Sequence, residues 1–334
     1  MPATTFVTGG SGVVGRPIVA RLVARGESVT ALARSEAARR TLEALGAQPA
    51  EGDLQHESLL AASMRGCDVV YHAAGLNGFC LPDPSQLQRV NVLGTMGVVR
   101  AAARAGVRRI VYTSSAAAIG EVKGTVAHER SAHRGSFLSE YERSKFEAEK
   151  VILDLAAAAG IEVVCVNPSS VQGPGRAGGT ARLLRLYIDG KLRFFVDTTI
   201  SLVDIDDCAE GHLRAAARGV AGERYILNGA TLSTSEALAL VARITGVAAR
   251  PRVLPAPAAV AAAGVVEAVA RIRRRSPSVC REMVRTMLHG HAYDGSLAER
   301  ELGLSYTPVE VTLRRTVEWF ARAGLLERPP PGPG

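Results

Sequence analysis

The run Tyr141-Glu142-Arg143-Ser144-Lys145 pairs two residue types whose spacing suggests proton chemistry. Four residues apart on a helix, a phenol and an ammonium lie one turn apart on the same face. A free phenol ionises at about 10, too high for efficient proton exchange at neutral pH, and an adjacent cation lowers that value. On this reading Tyr141 is a usable acid or base, and Lys145 also reaches the ribose of a bound nucleotide. Ser115 ends the run Val111-Tyr112-Thr113-Ser114-Ser115, where a hydroxyl can hold a carbonyl oxygen and stabilise the alkoxide formed from it. Further along, Asn167-Pro168-Ser169-Ser170-Val171 offers Pro168 and Ser170 as residues lining a nicotinamide face.

A second constellation stands at the N-terminus, in Thr8-Gly9-Gly10-Ser11-Gly12-Val13-Val14-Gly15. Between a strand and a helix, bare backbone N–H groups can approach a diphosphate while the helix end adds partial positive charge. The spacing fits both GxGxxG (Gly10, Gly12, Gly15) and GxxGxxG (Gly9, Gly12, Gly15), so it does not choose between them. An NAD-binding chain would carry an acidic residue at the end of the second strand. Here that strand ends Leu32-Ala33-Arg34-Ser35, with no carboxylate. Arg34 offers a donor fork suited to a 2′-phosphate, which favours NADP(H) over NAD(H), although a solvated surface arginine would look the same. Asp53, in Gly52-Asp53-Leu54, suits either an adenine amine or a helix N-cap.

These residues need a scaffold, and the hydrophobic pattern predicts one. Short β-branched runs alternate with Ala/Leu/Arg segments of helical period, as in an α/β fold with a Rossmann-type doubly wound parallel sheet. Strands are predicted near 4–8, 28–33, 47–51, 68–72, 109–114 and 162–167, and helices near 13–25, 37–45, 57–64, 85–105 and 139–159. Beyond Pro168 the pattern loosens into a smaller, mostly helical C-terminal lobe. The predicted organisation is a dinucleotide-binding domain over 1–170 with returning segments from 196–230, a substrate-binding lobe over 171–325, and a disordered tail over 326–334.

In family order, the chain carries TGGSGVVG, GDL, HAAG (His72 to Gly75), NVLGT (Asn91 to Thr95), VYTSS, YERSK, NPSSVQGPG and LVDIDDCAEGH (Leu202 to His212). Together these motifs resemble the extended short-chain dehydrogenase/reductases, within the NAD-dependent epimerase/dehydratase family. LAR (Leu32 to Arg34) and GERYILNG (Gly222 to Gly229) resemble the dihydroflavonol-4-reductase-like and 3β-hydroxysteroid-dehydrogenase-like branch. The resemblance implies Gly9, Gly12, Val13 and Val14 at the pyrophosphate, Arg34 at the 2′-phosphate, Asp53 and Leu54 near adenine, and Ala73 beside the adenosine ribose. It also implies Ser115, Tyr141 and Lys145 as a catalytic triad. Many nucleotide-sugar epimerases have VYG after the serine strand; Ala118-Ile119-Gly120 stands here, which argues against sugar chemistry. The expected activity is therefore an NADP(H)-dependent interconversion of a ketone and a secondary alcohol on a mid-sized hydrophobic molecule. An epimerase or dehydratase that retains its cofactor, or a nucleotide-sensing regulator without chemistry, is the alternative.

Composition sets the remaining bounds. The 334 residues suffice for about two units at roughly 150 residues each. With 47% hydrophobic and 22% charged residues, the chain is globular rather than disordered. A net charge of +8 suits anionic ligands, and no nucleic-acid reader is implied. Cys67, Cys80, Cys165, Cys208 and Cys280 are odd in number and scattered, which reads as a reducing cytoplasm. No transmembrane helix and no secretory signal are expected; Arg271 to Arg275 after an apolar helix reads as a solvated basic end, peripheral membrane contact being the less favoured account. His289-Gly290-His291 lacks a third ligand at useful spacing, so no metal site is expected. Arg182, Arg185 and Arg193 read as solvated, while Asn77, Phe79 and Cys80 sit on a loop that shapes the pocket in similar enzymes. Exposed long helices suit a homodimer.

Overall fold

The structure, a computed structural model, describes residues 3–327. Its strands in the two larger sheets are β1 (Thr4–Thr8), β2 (Ser28–Ala33), β3 (Gln48–Glu51), β4 (Val69–His72), β5 (Arg109–Thr113), β6 (Glu162–Pro168), β7 (Ser170–Gln172), β8 (Thr199–Asp204), β9 (Arg224–Leu227) and β10 (Ala230–Ser233). The main sheet has seven strands in the order β9-β6-β5-β4-β1-β2-β3, all parallel. Parallel pairing places every carboxyl end on one edge, the edge where such sheets bind ligands. A smaller sheet, β10-β8-β7, continues from the end of β6.

Alternation along β1 shows how the sheet buries both faces. Val7 packs with Ile18, Leu22 and Leu213 on one side, and Phe6 with Met64, Val98 and Ile152 on the other, all fully or almost fully buried. The helices on these faces include α1 (Gly15–Ala24), α2 (Glu36–Ala44), α3 (Glu57–Ser63), α4 (Gly94–Ala105), α5 (Glu140–Ala159) and, later in the chain, the helix Ile205–Arg218. Ser35 caps α2 and Ser139 caps α5 through their hydroxyls, each satisfying a free backbone N–H of the first turn. Gly160 ends α5 in the left-handed conformation.

The element predictions agree closely with this order, with one local difference. The helix expected over 85–105 is a short helical turn, then a π-helix over Gln88–Leu93, then α4. The wider turn keeps Asn91 buried at the sheet edge, where its side chain works.

Two other readings are corrected. Cys80 and Cys280 form a disulfide, so only Cys67, Cys165 and Cys208 are free, all buried. The partners are 200 residues apart, a pairing that spacing along the chain cannot reveal. Glu121 supplies the third group beside His289 and His291: the ligand atoms lie within 4.8 Å of one another, and His291 Nδ1 is 2.6 Å from the Glu121 carboxylate. Tyr293 Oη bonds the same buried carboxylate. Of the tail expected at 326–334, residues 328–334 lie outside the described residues, and the Glu327 N–H donates to Asp189 Oδ1 at 2.9 Å. Among the described residues no helix is long and apolar enough to cross a membrane.

Two buried histidines tie the layers together in the neutral form. His212 donates from Nδ1 to the Cys208 carbonyl (2.7 Å), so its Nε2 accepts from the Thr113 hydroxyl at 2.8 Å. The Thr95 hydroxyl already donates to the Asn91 carbonyl (2.5 Å), so His72 Nε2 donates to Thr95 (2.9 Å) and Nδ1 accepts from Thr8 at 2.7 Å. Burial pushes His72 down to about 3 and His212 down to about 4. An unfolded histidine takes up its proton at about 6.5. Between that value and the folded one, the unfolded chain binds protons that the native chain does not, so stability falls as pH falls. Denaturant unfolding at pH 7, 6 and 5 is expected to lose stability below about pH 6.5, each histidine contributing up to about 1.4 kcal/mol per pH unit, and His212→Gln is expected to flatten that slope. An unfolding free energy independent of pH over this range would contradict the account.

Candidate active site

At the carboxyl edge the glycine loop follows β1. Gly9 has a positive φ of 72°, and a Cβ there would stand 2.5 Å from the Ala74 backbone nitrogen. A Cβ on Gly15 would stand 2.0 Å from the Gly9 carbonyl oxygen. Only glycine fits either position, and the result is a backbone cradle at the start of α1. Gly12 N–H closes the turn on the Gly9 carbonyl at 2.8 Å, and Val13 and Val14 complete the path into the helix. This cradle, free of side-chain bulk, fits the diphosphate of a dinucleotide.

The remaining residues expected at the cofactor stand along the same edge. Arg34 follows β2 and is exposed. Asp53 follows β3, where its carboxylate accepts from the Gln55 N–H at 3.0 Å in a turn. Leu54 packs against α4: a Cβ on Gly97 would meet the Leu54 carbonyl at 2.7 Å. Ala73 follows β4 and lies against Gly9. Pro168 ends β6, and Ser170 Oγ accepts from Gln172 Nε2 (3.1 Å) and bonds the Thr180 hydroxyl at 3.1 Å.

Tyr141 and Lys145 enter from α5 and Ser115 from the end of β5. Ser115 Oγ accepts from the Ala117 N–H (3.2 Å) and so caps a 3₁₀ turn, which fixes its direction. Burial pushes the Tyr141 phenol up, while the Ser115 hydroxyl and then the Arg176 guanidinium pull it down. Lys145 donates to the Thr113 carbonyl at 3.0 Å, and burial pushes it down to about 8 against the opposing charge of Glu149. Arg176 is thus a cation acting on the phenol that the sequence reading did not name. The Phe79 ring meets the Tyr141 ring edge-on with centroids 6.3 Å apart, giving the phenol an apolar wall beside the Cys80–Cys280 bridge.

Three supporting residues receive no role from the motifs, although Asn91 and Asn167 lie within two of them. Glu149, buried and two turns beyond Tyr141, accepts from Asn167 Nδ2 (2.7 Å) and from the Ser114 hydroxyl, and pairs with Arg224 at 3.0 Å. Asn167 Nδ2 also donates to the Ser115 carbonyl at 3.1 Å. Asn91 Nδ2 donates to Ser144 Oγ (2.9 Å) and to the Leu76 carbonyl, while its Oδ1 accepts from the Leu76 N–H. A Cβ on Gly75 would be 3.2 Å from Lys145 Nζ and 3.3 Å from Asn91 Oδ1, so the loop after β4 passes close to both. Glu149 had one readable signal, a carboxylate at the next turn of the Tyr141–Lys145 face. Arg176 had none.

Comparison with known proteins agrees with this geometry. The sequence profile of the NAD dependent epimerase/dehydratase family matches residues 5–228, two thirds of the chain. A putative dihydroflavonol 4-reductase of Synechocystis sp. is 35% identical over 331 residues, covering 96% of both chains. A 4-hydroxy-2-methyl-3-oxo-4-farnesyl-3,4-dihydroquinoline-1-oxide ketoreductase of Stigmatella aurantiaca is 36% identical, over 90% of this chain and 91% of the relative. The crystal structure of gox2253 superposes with a TM-score of 0.84 at 31% identity, covering 97% of this chain and 99% of that one. A glycine cradle at the sheet edge, a serine at the end of the fifth strand and a Tyr–Lys helix above them, in a chain with these relatives, lead to one assignment: the chain belongs to the NAD-dependent epimerase/dehydratase family and is an NAD(P)-dependent oxidoreductase of the extended short-chain dehydrogenase/reductase type.

Proposed function

We propose that the protein is an NADP(H)-dependent ketoreductase that interconverts a ketone and a secondary alcohol on a mid-sized, hydrophobic substrate. The observation that carries this reading is the phenol of Tyr141, half-buried at the carboxyl edge, with the Ser115 hydroxyl acting on it and the Phe79 ring against it. The nicotinamide, when bound, supplies the hydride for reduction or accepts it in oxidation.

In the reductive direction Ser115 Oγ donates to the carbonyl oxygen and stabilises negative charge developing there. Tyr141 Oη delivers the proton to that oxygen. Lys145, anchored on the Thr113 carbonyl, keeps a positive charge near the site and orients the nicotinamide ribose. Asn91 and Ser144 hold the segment before Lys145 in place. Phe79 keeps water from the phenol and favours an apolar substrate face. The relatives' names, a dihydroflavonol 4-reductase and a ketoreductase, support ketone reduction over sugar epimerisation.

For the cofactor, Arg34 supports the phosphorylated form. It is exposed at the carboxyl end of β2, no carboxylate follows it before Glu36, and Glu36 is engaged by Arg39 and Arg40. An exposed guanidinium there is available to a 2′-phosphate.

Two outcomes are expected. Tyr141→Phe should lower kcat by about 10²- to 10⁴-fold, the usual value of a positioned proton donor, with cofactor affinity nearly unchanged. This is read by NADPH oxidation over a panel of steroidal, flavonoid and β-oxo carbonyl compounds, and an unchanged kcat would overturn the role of the phenol. Fluorescence titration should show NADPH binding at least about 10-fold tighter than NADH, the advantage disappearing in Arg34→Ala. Equal affinity of the wild-type protein for the two would refute the preference.

A further inference from the structure

We infer that the helix Ala256–Ile272, with the arginines at its two ends, docks the protein on the surface of a bilayer that carries anionic phospholipid. The inference stands apart from the ketoreductase reading, and its test needs no turnover.

One side of this 17-residue helix is packed: Ala259 and Ala263 are buried with Val196 and Val284, and Ala270 is buried further along. The opposite side is open and holds no polar residue. At about 100° per residue, Ala261, Ala262, Val265, Ala268, Val269 and Ile272 fall on one arc of about 120°, and all six are exposed. Val265 is 64% exposed and Ile272 82%. A surface helix ordinarily turns its charged residues to solvent on that arc. Here the charged side chains within the helix are Glu267, which lies off the arc and pairs with Arg281 at 2.8 Å, and Arg271 in the last turn.

Both ends of the helix are basic. Arg250 and Arg252 precede it, and Arg271, Arg273, Arg274 and Arg275 close it, all exposed. Among the described residues none of these six guanidiniums forms an ion pair, and the one acid between Gly246 and Cys280 is Glu267, which Arg281 occupies. Uncompensated arginines beside an apolar arc match lipid phosphates over acyl chains: the guanidiniums meet the headgroups while the arc sinks about 5–10 Å. A second copy of the chain is a poorer occupant. Paired along the arc, parallel or antiparallel, two copies set guanidiniums against guanidiniums at both ends. The end of the helix also borders the candidate site, because Arg271 and Arg275 line a cleft with Cys80, next to Phe79, whose ring meets Tyr141. From sequence alone these arginines read as a solvated basic end; the outward apolar arc, visible only in the fold, favours docking.

The experiment sediments the full chain at physiological salt with vesicles of mixed phosphatidylglycerol and phosphatidylcholine, and with vesicles of phosphatidylcholine alone. Wild type is expected to pellet with the anionic vesicles and to bind the neutral ones at least about 100-fold more weakly, at about 5-fold for each arginine near the surface. Arg273→Gln with Arg274→Gln should weaken binding to the anionic vesicles about 25-fold. Val265→Asn with Ile272→Asn keeps the net charge and should weaken it at least about 10-fold, through lost apolar burial. An unchanged thermal unfolding midpoint without vesicles shows that each variant is folded. Wild type that stays in the supernatant, or that binds neutral and anionic vesicles equally, would overturn the inference. Binding that falls in the arginine variant but persists in Val265→Asn with Ile272→Asn would also overturn it, leaving adsorption by charge alone. A concentration-dependent dimer in sedimentation velocity, abolished by Val265→Asn with Ile272→Asn and accompanied by no vesicle binding, would assign the face to a second copy instead.

Discussion

One buried carboxylate sets the charge balance of the catalytic edge. Glu149 lies two turns beyond Tyr141 on the same face of α5 and is reached from three strands: by Ser114 after β5, by Asn167 in β6 and by Arg224 in β9. An unpaired carboxylate at that depth would be costly, and these partners compensate it. They also lock the helix bearing Tyr141 and Lys145 to the strand end bearing Ser115. The positive charge of Lys145, lowered by burial, is opposed by this same group. The geometry of the candidate site and the stability of the fold are thus joined in one network.

A second network reaches the site from the cofactor side. The Ala74 N–H donates to the Thr8 hydroxyl, Thr8 to His72, His72 to Thr95 and Thr95 to the Asn91 carbonyl. It begins beside the glycine loop and ends at the π-helix whose Asn91 side chain holds Ser144. The two central links use the neutral imidazole of His72, so its burial preserves the directions of the donors. The loop that follows β4 is thereby held between the cradle and Lys145.

Much of this was legible in the residues alone. Period-two and period-3.6 patterns mark the strands and helices of the main sheet because each element buries its own stripe against its neighbours. The glycine loop, Ser115 and the Tyr141–Lys145 pair are local motifs, so short-range spacing reveals them. What stayed hidden depends on contacts between distant segments. The Cys80–Cys280 bridge, the meeting of Glu121 with His289 and His291, and the Glu149–Arg224 pair all form only when the chain closes on itself. Arg176 was hidden for another reason: in a chain with 40 basic side chains, a single arginine stands out only once its lack of an acid can be seen.

The claim most open to direct trial is that the Glu149 network positions the proton donor. Single-turnover NADPH oxidation by Glu149→Gln, followed by stopped-flow on a ketone that the wild-type protein reduces, reads the chemical step apart from binding and release. The account predicts a step slowed by about 100-fold or more with NADPH affinity retained. A step as fast as wild type would show that the catalytic helix is held in register by something else.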